Sequence, residues 1–396
     1  MSALRVLCVS AVIVMLVACG GESGTPLSLS PAGVAGEGVH ATVTYAVVHR
    51  FRGNPGDGSN PSAGLLNVGG TLYGTTSIGG KKNYGTVFVV TQSDQENVLH
   101  SFVPGGGGLL PYAALINVNG VLYGTTAEGG SSDEGTIFKI TTSGKESAIY
   151  SFGTASEDGL EPTACLLNVN GMLYGTTSLG GTYNAGTVFS VTTSGKETVL
   201  YSFGKTSADG EVPQAGLTNV NGMLYGTTAE GGAYSFGTVF DITTSGKESV
   251  IHTFQNSEDG VLPYAGLINV GGTLYSTTVG GGTKEEGTIF KITTSGKEAL
   301  LYSFGRRSSD GEYPYVGLLN VKGKFYGETI EGGTHSAGTV FSVTQSGKES
   351  VLYNFGTASG DGTEPRGALI NVNGTLYGTT GSGGTNSNGI VFSLKP

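Results

Sequence analysis

Few residues in the sequence have the types and spacing that catalysis requires. Neither His-Glu-x-x-His nor Gly-x-Ser-x-Gly occurs, and no cysteines and histidines are spaced as metal ligands. We therefore expect no metal and no cofactor, although a site assembled from distant segments would escape a motif search. Of the five histidines, His335 lies in a loop outside the repeated pattern described below. It is the candidate acid or base if the protein is an enzyme.

Acidic residues recur at one position of the repeated pattern, each followed by glycine. An aspartate there can close an Asx-type turn that supports its own loop, or contribute to an anionic ring. The turn is the favoured interpretation, and calcium is disfavoured because no Asp-x-Asp-x-Asp-Gly ladder occurs. A matching lysine series in Ser-Gly-Lys turns is expected to pair with the glutamate that follows each lysine. The aspartates are Asp57, Asp158, Asp209, Asp259, Asp310 and Asp361, and the lysines are Lys145, Lys196, Lys247, Lys297 and Lys348.

Tyrosines outside the repeated strand motifs are the candidate binding residues. An aromatic ring beside carboxylates suits a carbohydrate, a peptide or a protein surface, and variable loops on a rigid scaffold commonly carry such sites. The predicted ligand-binding set is Tyr84, Tyr112, Tyr183, Tyr234, Tyr264 and Tyr315.

The overall charge excludes one large class of partner. The chain has 20 basic and 30 acidic residues, a net charge of −10 and a pI near 5.0. Nucleic acids and anionic membrane surfaces are bound by clustered basic charge, so neither is an expected partner.

The elements that position these residues repeat seven times. The tyrosine of Leu-Tyr-Gly-Thr-Thr and its variants recurs every 50 or 51 residues, at Tyr73, Tyr123, Tyr174, Tyr225, Tyr275, Tyr326 and Tyr377. In each unit, turn residues such as Asn119-Gly120 separate short apolar runs typical of strands. Two phenylalanine series keep the same register, which indicates a repeated core.

The two ends of the chain predict a closed ring. The last unit stops at Pro396 after three strands, whereas the chain begins with an extra fourth strand at residues 44–51. Pairing that strand with the last unit completes its sheet and leaves no exposed edge. The sequence therefore predicts an all-β, seven-bladed β-propeller with four antiparallel strands per blade.

The N-terminus has the form of an export signal. Residues 1–18 contain one basic residue and a short apolar run, and Leu16-Val17-Ala18-Cys19-Gly20 resembles a bacterial lipobox. We expect residues 1–18 to be a lipoprotein signal peptide, Cys19 to carry the lipid, residues 19–40 to be a flexible tether and residues 41–396 to form the propeller. A simple secretory signal is the alternative. Glycine rather than aspartate after Cys19 favours the outer membrane.

The repeated motifs resemble those of a known family. Pro-x-Ala-Gly-Leu, Asn-Gly-x-Leu-Tyr-Gly-Thr-Thr and Gly-Thr-Val-Phe, repeated over residues 43–396, are similar to the bacterial GloVer tandem-repeat family, also described as choice-of-anchor repeat proteins. The resemblance implies an exported, surface-tethered repeat domain. It carries over no catalytic residues.

These observations favour a binding module over an enzyme. The prediction is a monomeric, envelope-tethered propeller that recognises a glycan, peptide or protein through its longer loops and touches the membrane only through its lipid. An envelope assembly scaffold is the first alternative. A lyase- or hydrolase-type enzyme with its site at the channel mouth is the second.

Overall fold

The computed structural model describes residues 43–53, 55–91, 95–105, 107–255 and 258–396. These residues form seven four-stranded antiparallel sheets. They contain no helix, and therefore no helix long enough to cross a membrane. The predicted signal peptide, the lipidated Cys19 and the predicted tether lie outside the described residues.

Each blade is a meander of four strands, and the blades are numbered 1 to 7 along the chain. The first strands are Leu66–Val68, Ile116–Val118, Leu167–Val169, Thr218–Val220, Ile268–Val270, Leu319–Val321 and Gly362–Val372. The second strands are Thr71–Thr76, Val121–Thr126, Met172–Thr177, Met223–Thr228, Thr273–Thr278, Lys324–Thr329 and Thr375–Gly383. The third strands are Thr86–Val90, Thr136–Thr141, Thr187–Thr192, Thr238–Thr243, Thr288–Thr293, Thr339–Thr344 and Ile390–Lys395. The fourth strands of blades 1 to 6 are Glu96–Ser101, Glu146–Ser151, Glu197–Ser202, Glu248–Thr253, Glu298–Ser303 and Glu349–Asn354.

The N-terminal strand closes the ring. Thr44–Arg50 pairs antiparallel with Ile390–Lys395, in a register that places Thr44 opposite Lys395 and Arg50 opposite Ile390. Blade 7 therefore takes its fourth strand from the start of the chain. The predicted seven-bladed propeller and its mode of closure are confirmed.

Phenylalanine pairs hold neighbouring blades together. The phenylalanine that directly follows the fourth strand of each blade packs edge-to-face on the third-strand phenylalanine of the next, as Phe51 does on Phe88. The ring centroids are 5.0–5.3 Å apart at all seven seams. This is the preferred arrangement of aromatic rings, whose edges and faces carry opposite partial charge. The two series that marked the repeat are thus the interblade core.

Threonine latches join the blades nearer the axis, where first strands of neighbouring blades contact one another. A second-strand threonine hydroxyl donates to a backbone carbonyl that precedes the first strand of the next blade, as from Thr75 to Ala113 at 3.0 Å and from Thr379 to Ala63 at 3.0 Å. Blades 2, 3, 4 and 5 make the same contact through Thr125, Thr176, Thr227 and Thr277. Blade 6 has Glu328 at this position instead.

Candidate functional site

The longer loops, which follow the second and fourth strands, lie at one end of the propeller, as a four-stranded meander requires. Five two-stranded pairs join the loop between blades to the loop after the second strand: Gly58–Ser59 with Ile78–Gly79, Gly108–Leu109 with Glu128–Gly129, Gly159–Leu160 with Leu179–Gly180, Gly210–Glu211 with Glu230–Gly231, and Gly311–Glu312 with Glu331–Gly332. Both loop sets are therefore held at the same end of the propeller.

The six predicted tyrosines divide into two groups on this face. Tyr183 and Tyr234 are 49% and 54% exposed. Tyr112 and Tyr264 are buried, whereas Tyr84 and Tyr315 are partly buried against hydrophobic clusters. A uniform aromatic rim is not present among the described residues, although the set as ligand-binding residues stays a prediction.

Three exposed aromatic side chains, Tyr183, Tyr234 and Phe236, lie in the loops that follow the second strands of blades 3 and 4, and we call this set the aromatic patch. Tyr183 and Tyr234 occupy the same register in consecutive units, and Phe236, which is 37% exposed, follows two residues after Tyr234. Of the described residues, only Val43 and Leu300 are other large hydrophobic side chains exposed to this extent. Phe236 was missed as a site residue, although its position outside both phenylalanine series was a usable signal.

Tyr264 and Tyr315 of the second group lie shortly before the first strands of blades 5 and 6. Tyr264 stacks on Tyr315 of the next blade, with ring centroids 5.4 Å apart and planes 5° from parallel. In the equivalent position one blade further, Arg366 forms an ion pair with Glu364 at 3.0 Å. Burial, with the nearby carboxylates of Glu128 and Glu161, raises the pKa of Tyr112 to about 12, so its phenol stays protonated.

His335 is exposed in the loop after the second strand of blade 6. Its Nδ1 lies 2.9 Å from the hydroxyl of the adjacent Thr334, and the structure shows no carboxylate bonded to the ring. The geometry therefore gives this imidazole no orienting partner of the kind that tunes a general acid or base. Its catalytic role stays an untested prediction.

The repeated aspartates support their own loops, as the turn interpretation predicted. The Oδ2 atom of Asp209 accepts from the backbone N–H of Lys205 at 3.0 Å, and that of Asp361 accepts from Thr357 at 3.2 Å. They also accept from the fourth strand, where Tyr201 donates its hydroxyl to Asp209 at 2.9 Å. The histidines that replace this tyrosine in other blades face the same aspartate position, His49 at 3.5 Å from Asp57 and His252 at 3.3 Å from Asp259.

A glutamate joins the fourth-strand tyrosine or histidine and the loop aspartate, and this third residue was not predicted from the sequence. The fourth strand of the next blade begins with a glutamate that turns into the seam, and burial raises the pKa of Glu96, Glu146, Glu197, Glu248, Glu298 and Glu349 to about 7. The expected pairing of each glutamate with the lysine before it is wrong, because no lysine forms an ion pair within the described part of the chain. Instead, Glu349 pairs with Arg307.

We call each such group a seam cluster: a fourth-strand tyrosine or histidine, the aspartate of the following loop, and the glutamate of the next blade. The tyrosine versions are Tyr150, Asp158, Glu197; Tyr201, Asp209, Glu248; and Tyr302, Asp310, Glu349. The histidine versions are His49, Asp57, Glu96 and His252, Asp259, Glu298. At the last seam Tyr45 replaces the glutamate, stacking on Tyr353 and donating to Asp361 at 2.6 Å.

Comparison with known proteins identifies the family. The sequence matches the family described as Gloeobacter/Verrucomicrobia repeat over residues 32–164, 148–319 and 214–396. The chain therefore belongs to this repeat family, which confirms the resemblance seen in its motifs. No curated protein matches the sequence.

Solved structures support the fold. Virginiamycin B lyase from Staphylococcus aureus is similar, with a TM-score of 0.58, 13% identity, and coverage of 89% of this chain and 99% of that one. Oligogalacturonate lyase from Vibrio parahaemolyticus has a TM-score of 0.51 and 9% identity, covering 89% of this chain and 97% of that one. At these identities the likeness concerns the fold alone.

Proposed function

We propose that the protein is a cell-envelope binding module whose longer-loop face docks on a carbohydrate. The observation that carries this proposal is the aromatic patch of Tyr183, Tyr234 and Phe236. Exposed rings gain binding free energy by stacking against the apolar face of a sugar. Glu230, in the same loop as Tyr234, and Glu211, which pairs with it, offer acceptors for the sugar hydroxyl groups. A peptide or protein partner would use the same surface.

The experiment is a glycan array probed with the purified chain and with the triple variant Tyr183→Ala, Tyr234→Ala, Phe236→Ala. We expect the variant to lose binding and to keep its unfolding midpoint, since exposed substitutions usually change stability by less than about 0.5 kcal/mol. Leu300→Ala, which removes an exposed apolar side chain elsewhere, is the matched control. Undiminished glycan binding by the triple variant would refute the assignment of the patch.

The tether is the second part of the proposal. A lipid on Cys19 would hold the propeller at the outer membrane of the exporting bacterium, and the net charge of −10 disfavours peripheral attachment to an anionic membrane surface. Labelling cells with a fatty-acid analogue should tag the wild type and leave Cys19→Ala untagged. An equally labelled Cys19→Ala variant would contradict the lipid anchor.

An assembly scaffold would be indicated by stable co-purification with an envelope protein.

An enzyme at the axial mouth is the remaining candidate. The observation that favours it is the grouping of a stacked phenol, Tyr315, with a partly buried guanidinium, Arg366, and the Glu364 carboxylate. Two propellers of similar fold are lyases by name, so oligogalacturonate and virginiamycin B are reasonable first substrates. Turnover that survives Arg366→Met would place any activity elsewhere.

A further inference from the structure

Two of the seam clusters differ from the others in the chemistry of their donor atoms. In each of these two, an imidazole nitrogen and two carboxylate oxygens lie within 4.8 Å of one another. The first cluster is His49, Asp57 and Glu96, between blades 7 and 1. The second is His252, Asp259 and Glu298, between blades 4 and 5. One histidine with two carboxylates is a donor set that suits a divalent transition metal.

The distances match the spacing of metal ligands better than that of hydrogen bonds. His49 Nε2 lies 3.5 Å from Asp57 Oδ2 and 3.9 Å from Glu96 Oε2, and His252 Nε2 lies 3.3 Å from Asp259 Oδ2. Two ligands held at about 2.0–2.1 Å from a tetrahedral Zn²⁺ are about 3.3–3.5 Å apart. The imidazole and aspartate already stand at this separation in both clusters, and at the first cluster Glu96 needs a movement of about half an ångström toward His49.

One nitrogen of each histidine is also buried, and it meets the aspartate at ion-pair distance without forming a hydrogen bond of good geometry. This holds for Nε2 of His49 and of His252, and Glu96, whose side chain is 9% exposed, has an unpartnered Oε1 beside the first of them. In the tyrosine clusters the phenol donates to the aspartate at 2.8–2.9 Å, so the equivalent atom is satisfied. The glutamate Oε1 lacks a partner in both kinds of cluster. The unsatisfied nitrogen is therefore specific to the histidine clusters, and a buried polar atom of this kind calls for a ligand.

We propose that the two histidine seam clusters bind divalent transition-metal ions of the Zn²⁺ class, one ion per cluster. The three side chains supply three ligands. At the second cluster, a pocket of about 520 Å³ lined by His252, Gln255 and Leu300 among others leaves the remaining coordination position open to water.

Each ion joins two blades. His49 lies on the closing strand of blade 7, Asp57 in the loop that follows, and Glu96 on the outer strand of blade 1. The ion thus replaces the phenol–aspartate hydrogen bond that serves the tyrosine seams. At the first cluster it fastens the strand that completes the ring.

The chain supplies its own controls, because tyrosine already stands at the histidine position in sister seams. His49→Tyr and His252→Tyr install the residue those seams contain, so the fold should tolerate them. Tyr201→His performs the reverse change beside Asp209 and Glu248 and should create a third site. His100 faces Glu146 at 3.9 Å, but its loop has Gly107 where the other seams have aspartate, so this seam should bind no ion.

The test is equilibrium dialysis of the full chain against micromolar Zn²⁺, followed by elemental analysis of bound metal. We expect the wild type to bind two more ions than the double variant His49→Tyr, His252→Tyr, each single variant to lose one, and Tyr201→His to gain one. Glu298→Gln keeps the size of the side chain and should also lose one ion. It provides a second test in case the tyrosine variants do not fold. Equal metal content in the wild type and the folded double variant, or in the wild type and folded Glu298→Gln, would overturn the proposal.

Discussion

Glu328→Thr should stabilise the propeller by an amount that grows with pH. Glu328 occupies the latch position of blade 6 and is 0% exposed, and neither of its carboxyl oxygens has a hydrogen-bond partner. It lies against Gly378 of blade 7, where a Cβ atom would stand 2.7 Å from the glutamate Oε1. Threonine at this position restores the contact that the sister blades make.

The magnitude follows from three contributions. Removing an unpartnered buried carboxyl relieves about 1–3 kcal/mol, and the new hydroxyl-to-carbonyl bond adds about 1 kcal/mol. The smaller side chain leaves a void that reduces this stabilisation by about 1 kcal/mol. At acidic pH, where the carboxyl is protonated in both states, the free energy of unfolding should therefore rise by about 1–3 kcal/mol.

The pH dependence comes from burial, which raises the pKa of Glu328 well above its ordinary value. Above that ordinary value the unfolded chain releases the proton while the folded chain keeps it, so the wild type loses about 1.4 kcal/mol per pH unit until the folded carboxyl also ionises. The advantage of Glu328→Thr is smallest below the unfolded pKa and increases as pH rises.

Urea unfolding of the wild type and the variant at pH 5 and pH 8 measures the difference. Glu328→Gln is the control: it keeps the size, cannot titrate and should show the same pH profile as the threonine variant. The six seam glutamates titrate equally in all three proteins and cancel in the comparison. If Glu328→Thr is no more stable than the wild type at pH 8, the assignment of a buried, unpartnered carboxyl is wrong.

Three further outcomes follow from the fold. Deleting Thr44–Arg50 exposes the edge of Ile390–Lys395 and should give oligomers in size-exclusion chromatography with light scattering; a stable monomer would contradict the closure argument. Tyr201→Phe removes a hydrogen bond to a buried aspartate and should lower the free energy of unfolding by about 1–3 kcal/mol, and an unchanged urea midpoint would speak against it. Gly186→Ala places a Cβ atom 2.5 Å from a backbone carbonyl oxygen at a φ of +97° and should lower the free energy of unfolding by more than about 1 kcal/mol. Gly171→Ala, at a φ of +87° with no atom near the new Cβ, should lower it by less. Thermal unfolding of both variants measures the difference, and equal losses would contradict the steric argument.

The architecture was predictable because it rests on periodicity and on counting strands. Seven tyrosines in register, three strands in the last unit and a spare strand at residues 44–51 left a closed ring as the arrangement without an open edge. The phenylalanine series predicted the interblade core for the same reason. Turn glycines such as Gly120, at a φ of +84°, marked the strand ends because other residues rarely adopt that conformation.

The site was less predictable because exposure and pairing depend on neighbouring blades. Tyr112 and Tyr183 both stand outside the strand motifs, yet the first packs under its own loop and the second reaches solvent. Glu349 lies 47 positions from Tyr302, its seam partner, so no local motif joins them. The tyrosine, aspartate and glutamate series meet only where two neighbouring blades pack together. How those blades align with each other is visible in the structure and not in the sequence.

The hydrogen bond from Tyr45 to Asp361 joins residues 316 positions apart, and the strand pairing around it spans almost the whole chain. Such contacts are slow to form, because a long loop must close before any of them contributes. During folding, the first six blades can form as an arc before the seventh blade acquires its fourth strand. Completion is therefore a late step, and until it occurs the third strand of blade 7 keeps an open edge.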